Sequence, residues 1–409
     1  MSEQCPVVHF DHHSAEFAED PWTVYDELRD ECPVAWSDTH GGFFVLTRYA
    51  DVARVAKDDR TFSSDHDTDG HRNGYLGITI PSPPVRSIPI EMDPPDFFNY
   101  RKVLNPPLAP VAVAKLVDRI KEFTAQCVDE IIESGRCDLV HDIAVRIPAF
   151  MTLELLGIPT DKWARYAEPL HATAWAPPDT PEYAHMLEGV AWLMGDLAEE
   201  FDRHRRQPDD GMLSHLLQAE IDGRPIAEEE MLGMAFLLAV GGLDTTAALL
   251  SNTLLYLDDH PEDRSRLRDD PELLSTAFDE FMRYFTPTQS LARTVTTDVE
   301  IGGVAMKPGQ RVFISWAAAN RDPEEFERPN EVILDRFPNR HMGFGLGAHR
   351  CVGSHVGRAQ WAVVMEEILR RLPDYRIERD GVVKYRSVAT VYGYRAMPAV
   401  FTPGPRVAT

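Results

Sequence analysis

The spacing of apolar and polar positions divides the chain into a β-rich beginning, a long helical body and a mixed end. Residues 20–30 have helical spacing behind the start signal of Pro21. Val34-Ala35-Trp36 and the run from Gly42 to Thr47 alternate like the two strands of a hairpin. Residues 64–90 are rich in Gly, Pro, Asp and His and predict a long loop, which in a compact domain points to function. Helical spacing returns at 111–134, 138–156, 160–171 and 181–206. Residues 228–259 predict one long apolar helix, opened by Glu228-Glu229-Glu230, a triplet suited to a helix N-terminus. A further helix is expected at 271–285 and a last long one at 354–372. Residues 295–313 turn strand-like, with turns at Gly302-Gly303 and Pro308-Gly309, and 375–401 end in short strands. There is no internal repeat and no low-complexity linker. The expectation is one mainly α domain with a minor β portion over residues 1–409, in which 1–20 form a loosely ordered N-terminal segment.

Charge and cysteine usage narrow the class. The formal net charge of −25 repels nucleic acid and anionic lipid, so neither is an expected partner. Five cysteines without a CxxC pair fit a reducing cytosol better than a disulfide framework or a zinc site. Residues 1–20 lack a basic n-region and an apolar h-region, and the longest apolar run, 234–243, is far below the roughly 20 residues of a membrane span. The protein is expected to be soluble and cytoplasmic. His12-His13 is expected to be solvated, as is the helix end Arg203-His204-Arg205-Arg206, and these histidines suggest no metal site. No dinucleotide fingerprint or phosphate loop precedes a helix, so flavin and NAD must reside on other proteins.

The chemistry concentrates in the stretch from Phe344 to Gly353, FGLGAHRCVG. Its glycines allow a tight turn and let backbone N–H groups approach the sulfur of Cys351. Arg350 and the positive end of the helix that follows favour a thiolate. A thiolate surrounded by backbone donors suits a haem iron as an electron-donating axial ligand, the kind that promotes O–O cleavage. Inside the long apolar helix lies Val240-Gly241-Gly242-Leu243-Asp244-Thr245-Thr246. Two mid-helix glycines cost on the order of 1 kcal/mol each against alanine, and a buried acid needs partners. Both features make sense if a large group lies against a locally opened helix.

The cysteine loop and this helix resemble the cytochrome P-450 superfamily of haem-thiolate monooxygenases, and the resemblance covers the layout from about residue 21 to the C-terminus. The family commonly has alanine at the first position of the acid–threonine motif. Gly241 stands there instead, as in the bacterial camphor hydroxylase. The resemblance implies a mainly helical fold with haem b buried between the long helix and the cysteine loop. It implies Cys351 as the iron ligand, Asp244 and Thr245 as the proton-relay pair, and O2 as co-substrate. Electrons would come from NAD(P)H through a ferredoxin and its reductase, or a flavodoxin-type donor. Glu280 and Arg283, with the later Arg336, match the network that braces the cysteine loop. Arg101, Arg293 and His349 match the propionate ligands, and Phe344, Gly345, Gly353 and Gly241 border the cofactor. Phe97 replaces a histidine common in the family, which leaves one propionate contact to a water or a tyrosine. The family's variable regions place Tyr75, Leu76, Ile78, Ile80, His171, Trp175, Leu237, Leu238, Gln289, Ser290, Thr390 and Val391 around a hydrophobic substrate.

The implied activity is hydroxylation or epoxidation of a small-to-medium hydrophobic molecule, terpenoid or otherwise natural-product-like. Two alternatives stand beside it: a haem-thiolate enzyme with other chemistry (peroxygenase, rearrangement or coupling) and a non-catalytic haem or hydrophobic-ligand binding protein. The acid–threonine pair argues for O2 activation over both.

Overall fold

Helix boundaries follow the apolar spacing closely where elements are long. The computed structural model describes residues 5–68, 70, 73–83, 85–388 and 390–407. Helices occupy Pro21–Glu31, Pro181–Arg206, Glu228–Asp259 and Ser354–Arg371, within two residues of expectation. Val34–Ser37 and Phe43–Leu46 pair antiparallel, with Trp36 opposite Phe44. Four expected helices are subdivided, among them 160–171, which begins with a 3-10 turn, Thr160–Lys162, before Trp163–Trp175. Residues 111–134 form Pro110–Ala114 and Val117–Ile131. Residues 138–156 begin as a π-helical segment, Leu139–Val145, before Arg146–Leu156. Residues 271–285 begin with a 3-10 turn, Pro271–Leu273, before Leu274–Phe285. Short helices at Tyr49–Lys57, Asp96–Leu104, Met212–Gln218 and Pro261–Asp269 were not expected. Each spans fewer than three turns, too few for a periodic signal to stand out.

The central helix, Glu228–Asp259, organises the body. Glu230 reaches back to accept the N–H of Ala227 at 2.8 Å, which satisfies one orphan donor of the first turn. Buried side chains surround the helix from Met231 to Asp258. Among the described residues it alone is long and apolar enough to cross a membrane, yet most of that stretch is buried inside the protein. It runs unbroken through Gly241 and Gly242, so the expected local opening is absent. The glycines serve close approach instead. A Cβ on Gly242 would lie 2.6 Å from Thr152 Oγ1 of the neighbouring helix, whereas one on Gly241 would meet nothing within 4 Å.

Six strands form a sheet beside the helical body, in the order Val7–Val8, Val34–Ser37, Phe43–Leu46, Arg311–Ser315, Ser290–Val295, Phe62–Ser63. The strand expected at 295 begins five residues earlier, and this register carries Arg293 into the sheet opposite Val312.

The N-terminal segment is not loosely ordered over its described part. Val7–Val8 pairs parallel to Trp36 and Ser37, and Phe10 and Phe17 are buried in one cluster with Tyr25, Phe43 and Phe313. His12 is buried, not solvated. His12 and His13 both donate from Nε2 to the carbonyl of Ile80, at 2.7 and 2.9 Å. Burial pushes both imidazoles below their ordinary range, so they are neutral at pH 7. The rings of His12, His13 and His40 bring one nitrogen each within 4.8 Å of one another. The second nitrogen of His13 is held by Ser387 and Nε2 of His40 by Asp11, so hydrogen bonds already bind this cluster together. His204 departs from expectation in the same way, buried against Ser214 Oγ at 2.8 Å.

Candidate active site

One large cavity, about 470 Å³, lies between the central helix and the cysteine loop. Its floor is the loop. Phe344, Gly345, His349, Cys351, Val352 and Gly353 all line it. The loop turns through Gly345 and Gly347 with φ of +68° and +71°, the left-handed region that glycine enters without strain. A Cβ on Gly347 would also press to 2.6 Å from the carbonyl of Ala56. Cys351 N–H donates to Phe344 O at 2.8 Å and closes the turn.

Cys351 is exposed and lines the cavity. Burial pushes its thiol up. The backbone N–H groups of Gly353 and Ser354, with Arg101 and Arg350, act in the opposite direction without overcoming burial. The protein alone therefore does not ionise this thiol as the loop pattern suggested. A coordinated metal ion would, because it deprotonates a ligating thiol outright.

The loop is held from behind by a buried charge network. Glu280 and Arg283, both fully buried, form a bidentate pair at 2.8 and 2.8 Å. Arg336 donates to Glu280 Oε2 at 2.9 Å, and the N–H of Ile333 and the amide of Asn339 complete the carboxylate's shell. Arg283 spends its other donors on the carbonyls of Asn320, Pro329 and Glu331. Asn320 Oδ1 in turn accepts the N–H of Met342, two residues before Phe344. The charge pair thus fixes the backbone that leads into the loop.

Two arginines and a histidine border the same cavity. Arg293, buried in its strand, makes one side-chain hydrogen bond among the described residues, to the carbonyl of Ala292. Burial depresses its guanidinium to about 10. Arg101 donates to the carbonyl of Arg350 at 2.6 Å. Among the described residues, both ring nitrogens of His349 are buried without a partner, and burial followed by the two arginines depresses its imidazole to about 3. Phe97 packs its ring on His349, with centroids 4.3 Å apart. Tyr100 of the same helix is committed to Glu230, so it does not stand in for the missing histidine. Buried donors lacking acceptors, beside a thiol open to the cavity, fit a dianionic iron porphyrin.

The opposite wall is Val240 to Thr246 of the central helix. Thr245 Oγ1 donates to Gly241 O at 3.0 Å, which leaves its lone pairs toward the cavity. Asp244 is almost completely buried and borders the cavity. Its Oδ1 accepts from His171 Nδ1 at 2.5 Å and from the hydroxyl of Tyr385 at 3.0 Å. Its Oδ2 is buried without a partner.

Of the residues expected around a substrate, Ile78, Ile80, Leu237, Leu238, Thr390 and Val391 line the cavity, and six do not. Leu76 is exposed and bridges to His66 beside Tyr75, at the outer turn of the loop. Gln289 is turned inward, its amide donating to the carbonyls of Phe285 and Thr286. Ser290 lies on the opposite face of its strand from Leu291 and Arg293, where period-2 alternation puts it. His171 and Trp175, four apart on the helix Trp163–Trp175, share a face that turns from the cavity, and Thr173 and Ala174 face it instead. Trp175 lies under the guanidinium of Arg395, 3.8 Å from its centroid. Tyr385 was missed entirely, since nothing local in the sequence connects it to Asp244. Parity with Arg293 was the signal that would have selected Leu291 over Ser290.

Cavity, cysteine loop and buried charge pair together define a thiolate-ligated haem protein. A family model described as Cytochrome P450 matches residues 175–373. The linalool 8-monooxygenase of Pseudomonas putida is 32% identical over 367 residues, 87% of this chain and 90% of that protein. The steroid C26-monooxygenase of Mycolicibacterium smegmatis is 30% identical over 90% of this chain and 89% of its own length. The solved structure of a Mycobacterium marinum cytochrome P450 in complex with pseudoionone superposes with a TM-score of 0.88, at 29% identity over 98% of this chain and 100% of that one. The chain belongs to the cytochrome P450 family, and its enzyme class is that of the haem-thiolate monooxygenases.

Proposed function

We propose that this enzyme hydroxylates or epoxidises a compact, branched hydrophobic molecule of terpenoid type. The observation that carries the reading is the pairing of two walls across one cavity: Cys351 on one side, Asp244 and Thr245 on the other, with apolar side chains between. Haem b, bound between them, supplies the activation of O2 and the transfer of one oxygen atom. Cys351 would ligate its iron. Arg101, Arg293 and His349 pair with its propionates. Phe344, Gly345, Gly353 and Gly241, which line the cavity, would border it. Asp244 and Thr245 deliver protons from the wall of the central helix. Ile78, Ile80, Leu237, Leu238, Thr390 and Val391 hold the substrate and exclude water.

The substrate class draws support from two of the relatives, whose names carry linalool and pseudoionone, both acyclic terpenoid skeletons. Electrons come from NAD(P)H by way of a separate ferredoxin and its reductase or a flavodoxin-type donor, and the enzyme works in the cytoplasm.

The test is a titration of the purified ferric protein with terpenoids, steroids and polyketides, followed at the Soret band. A blue shift with acyclic terpenoids and none with the bulkier classes is the expected result. A shift confined to steroids or macrolides would overturn the substrate class. Cys351→Ala is expected to lose the thiolate-type spectrum of the reduced carbonyl complex, and an unchanged spectrum would refute the ligand assignment.

A further inference from the structure

Three elements distant in sequence meet at the carboxylate of Asp244. The central helix contributes Asp244, the helix Trp163–Trp175 contributes His171, and the C-terminal segment contributes Tyr385. His171 Nδ1 and the Tyr385 hydroxyl both lie on Oδ1, and they lie 3.1 Å from each other. The three groups differ in access. Asp244 and Tyr385 are buried, while the side chain of His171 keeps 16% of its surface exposed. His171 is absent from the cavity lining, whereas Asp244 borders it. Among the described residues, the second ring nitrogen of His171 has no protein partner, and neither does Oδ2 of Asp244. The cluster therefore has one unpartnered nitrogen on His171 and one buried, unpartnered oxygen on Asp244, and a 2.5 Å hydrogen bond between Nδ1 and Oδ1 joins the two side chains.

We propose that His171 supplies protons from solvent to Asp244, and that Tyr385 holds the carboxylate and the imidazole in register for the transfer. The inference rests on the reading of Asp244 as the proton-delivering acid. The proton balance is simple. His171 takes a proton from water at Nε2 and passes the one on Nδ1 to Asp244 Oδ1. The carboxyl then releases a proton into the cavity and returns to its ionised form, and a shift of His171 from its Nε2–H back to its Nδ1–H tautomer resets the relay, so each cycle moves one proton inward and leaves no charge behind. Histidine suits the relay position because it has two ring nitrogens, one for proton entry and one for exit. Tyr385 cannot compete for the proton. Burial, then the neighbouring Asp244, push its phenol far above its usual range, with Arg395 opposing weakly. It stays a neutral donor. Asp244 and Tyr385 are the titratable groups in contact with His171. Neither His171 nor Tyr385 lines the cavity, so both are positioning residues that act through Asp244.

Replacing His171 in two ways separates holding the carboxylate from carrying a proton. Asparagine can present its amide N–H where Nδ1 lies, but it does not titrate. Phenylalanine provides neither. The holoenzyme is assayed with its redox partners, and three quantities are read: the fraction of reductant recovered in product, the solvent deuterium isotope effect on turnover, and the substrate dissociation constant from the Soret shift. The expected result is a five- to tenfold loss of coupling in both H171N and H171F, a larger isotope effect, and a dissociation constant within twofold of the parent. D244N with H171N should be no worse than D244N alone, because residues acting in one series are not additive. Y385F is expected to lose two- to threefold.

Normal coupling in H171N would overturn the proton-carrying role of His171. So would a weakened substrate affinity with coupling intact, which would return His171 to the substrate contacts. If D244N itself coupled normally, the reading of Asp244 as the acid would fail, and this proposal with it. Uncoupling in D244N but in neither His171 variant would remove this proposal alone.

Discussion

On the cysteine side of the cavity, Arg283 donates to three backbone carbonyls and to Glu280, and Glu280 binds five donors from four residues beyond its own helix and within it. On the facing side, among the described residues, the wall from Gly241 to Thr246 makes side-chain hydrogen bonds outside its own helix only through Asp244. One side is located by directional charge-assisted bonds to backbone, the other mainly by the shapes of packed apolar side chains. The difference follows from what each side must do. A metal ligand tolerates little displacement, so its loop is overdetermined. A wall that faces substrate must fit a shape, and apolar packing can change shape with the residues that supply it.

Breaking the cysteine side should have the largest effect. Arg283→Ala leaves the buried Glu280 carboxylate with Arg336 as its one remaining charged partner, beside the neutral donors of Ile333 and Asn339, and three carbonyls without their donor. Removing one partner of a buried pair costs about 3–5 kcal/mol. Urea denaturation should show that loss, together with poor haem retention. A stable, fully haem-loaded R283A protein would mean that the network is dispensable to the loop.

The two adjacent glycines sharpen the comparison within one helix. Gly242→Ala brings a methyl against Thr152 Oγ1 and should destabilise by about 1–3 kcal/mol, as overpacking does. Gly241→Ala meets nothing within 4 Å of its Cβ, so stability should hold or rise by up to about 1 kcal/mol on helix propensity. Its methyl enters the cavity, and the ligand-induced Soret shift should weaken. Equal thermal midpoints for the two variants would refute this division of roles.

Thr245→Ala removes one hydrogen bond to a carbonyl of its own helix, so its midpoint should move little. Reductant should still be consumed but diverted to peroxide and water. Normal coupling would rule out a proton role for this hydroxyl.

The smallest effect concerns the entrance of the central helix. Burial pushes the Glu230 carboxyl up, but Arg224, Tyr100 and the N–H of Ala227 outweigh it and hold it at about 2, below its ordinary 4.5. A depressed carboxyl contributes stability above its unfolded value and loses that contribution as pH falls through the folded one. The difference in urea midpoint between parent and Glu230→Gln should therefore be present at pH 6 and shrink between about pH 4.5 and 2. A gap independent of pH would assign the effect to packing.

Much of this enzyme was legible in its sequence, because the relevant signals are local. A cysteine framed by glycines, an acid and two threonines inside an apolar helix, and a Glu and Arg three apart each occupy a few consecutive residues. Long helices were legible because their spacing repeats over many turns. The short helices were not, nor was the burial of His12 and His204 in segments that read as polar. The substrate contacts failed by one or two positions, at Gln289 and Ser290 and at His171 and Trp175. Which face of an element turns inward depends on what packs on its other side.

The same distinction separates the two halves of the chemistry. The sequence by itself offered the iron ligand and the acid as candidates, and the bracing pair through the resemblance to the cytochrome P-450 family, since each motif spans only a few consecutive residues. The tertiary structure decided whom the acid touches. His171 and Tyr385 stand 73 and 141 positions from Asp244, and only the crossing of three elements brings them within hydrogen-bond reach of one oxygen.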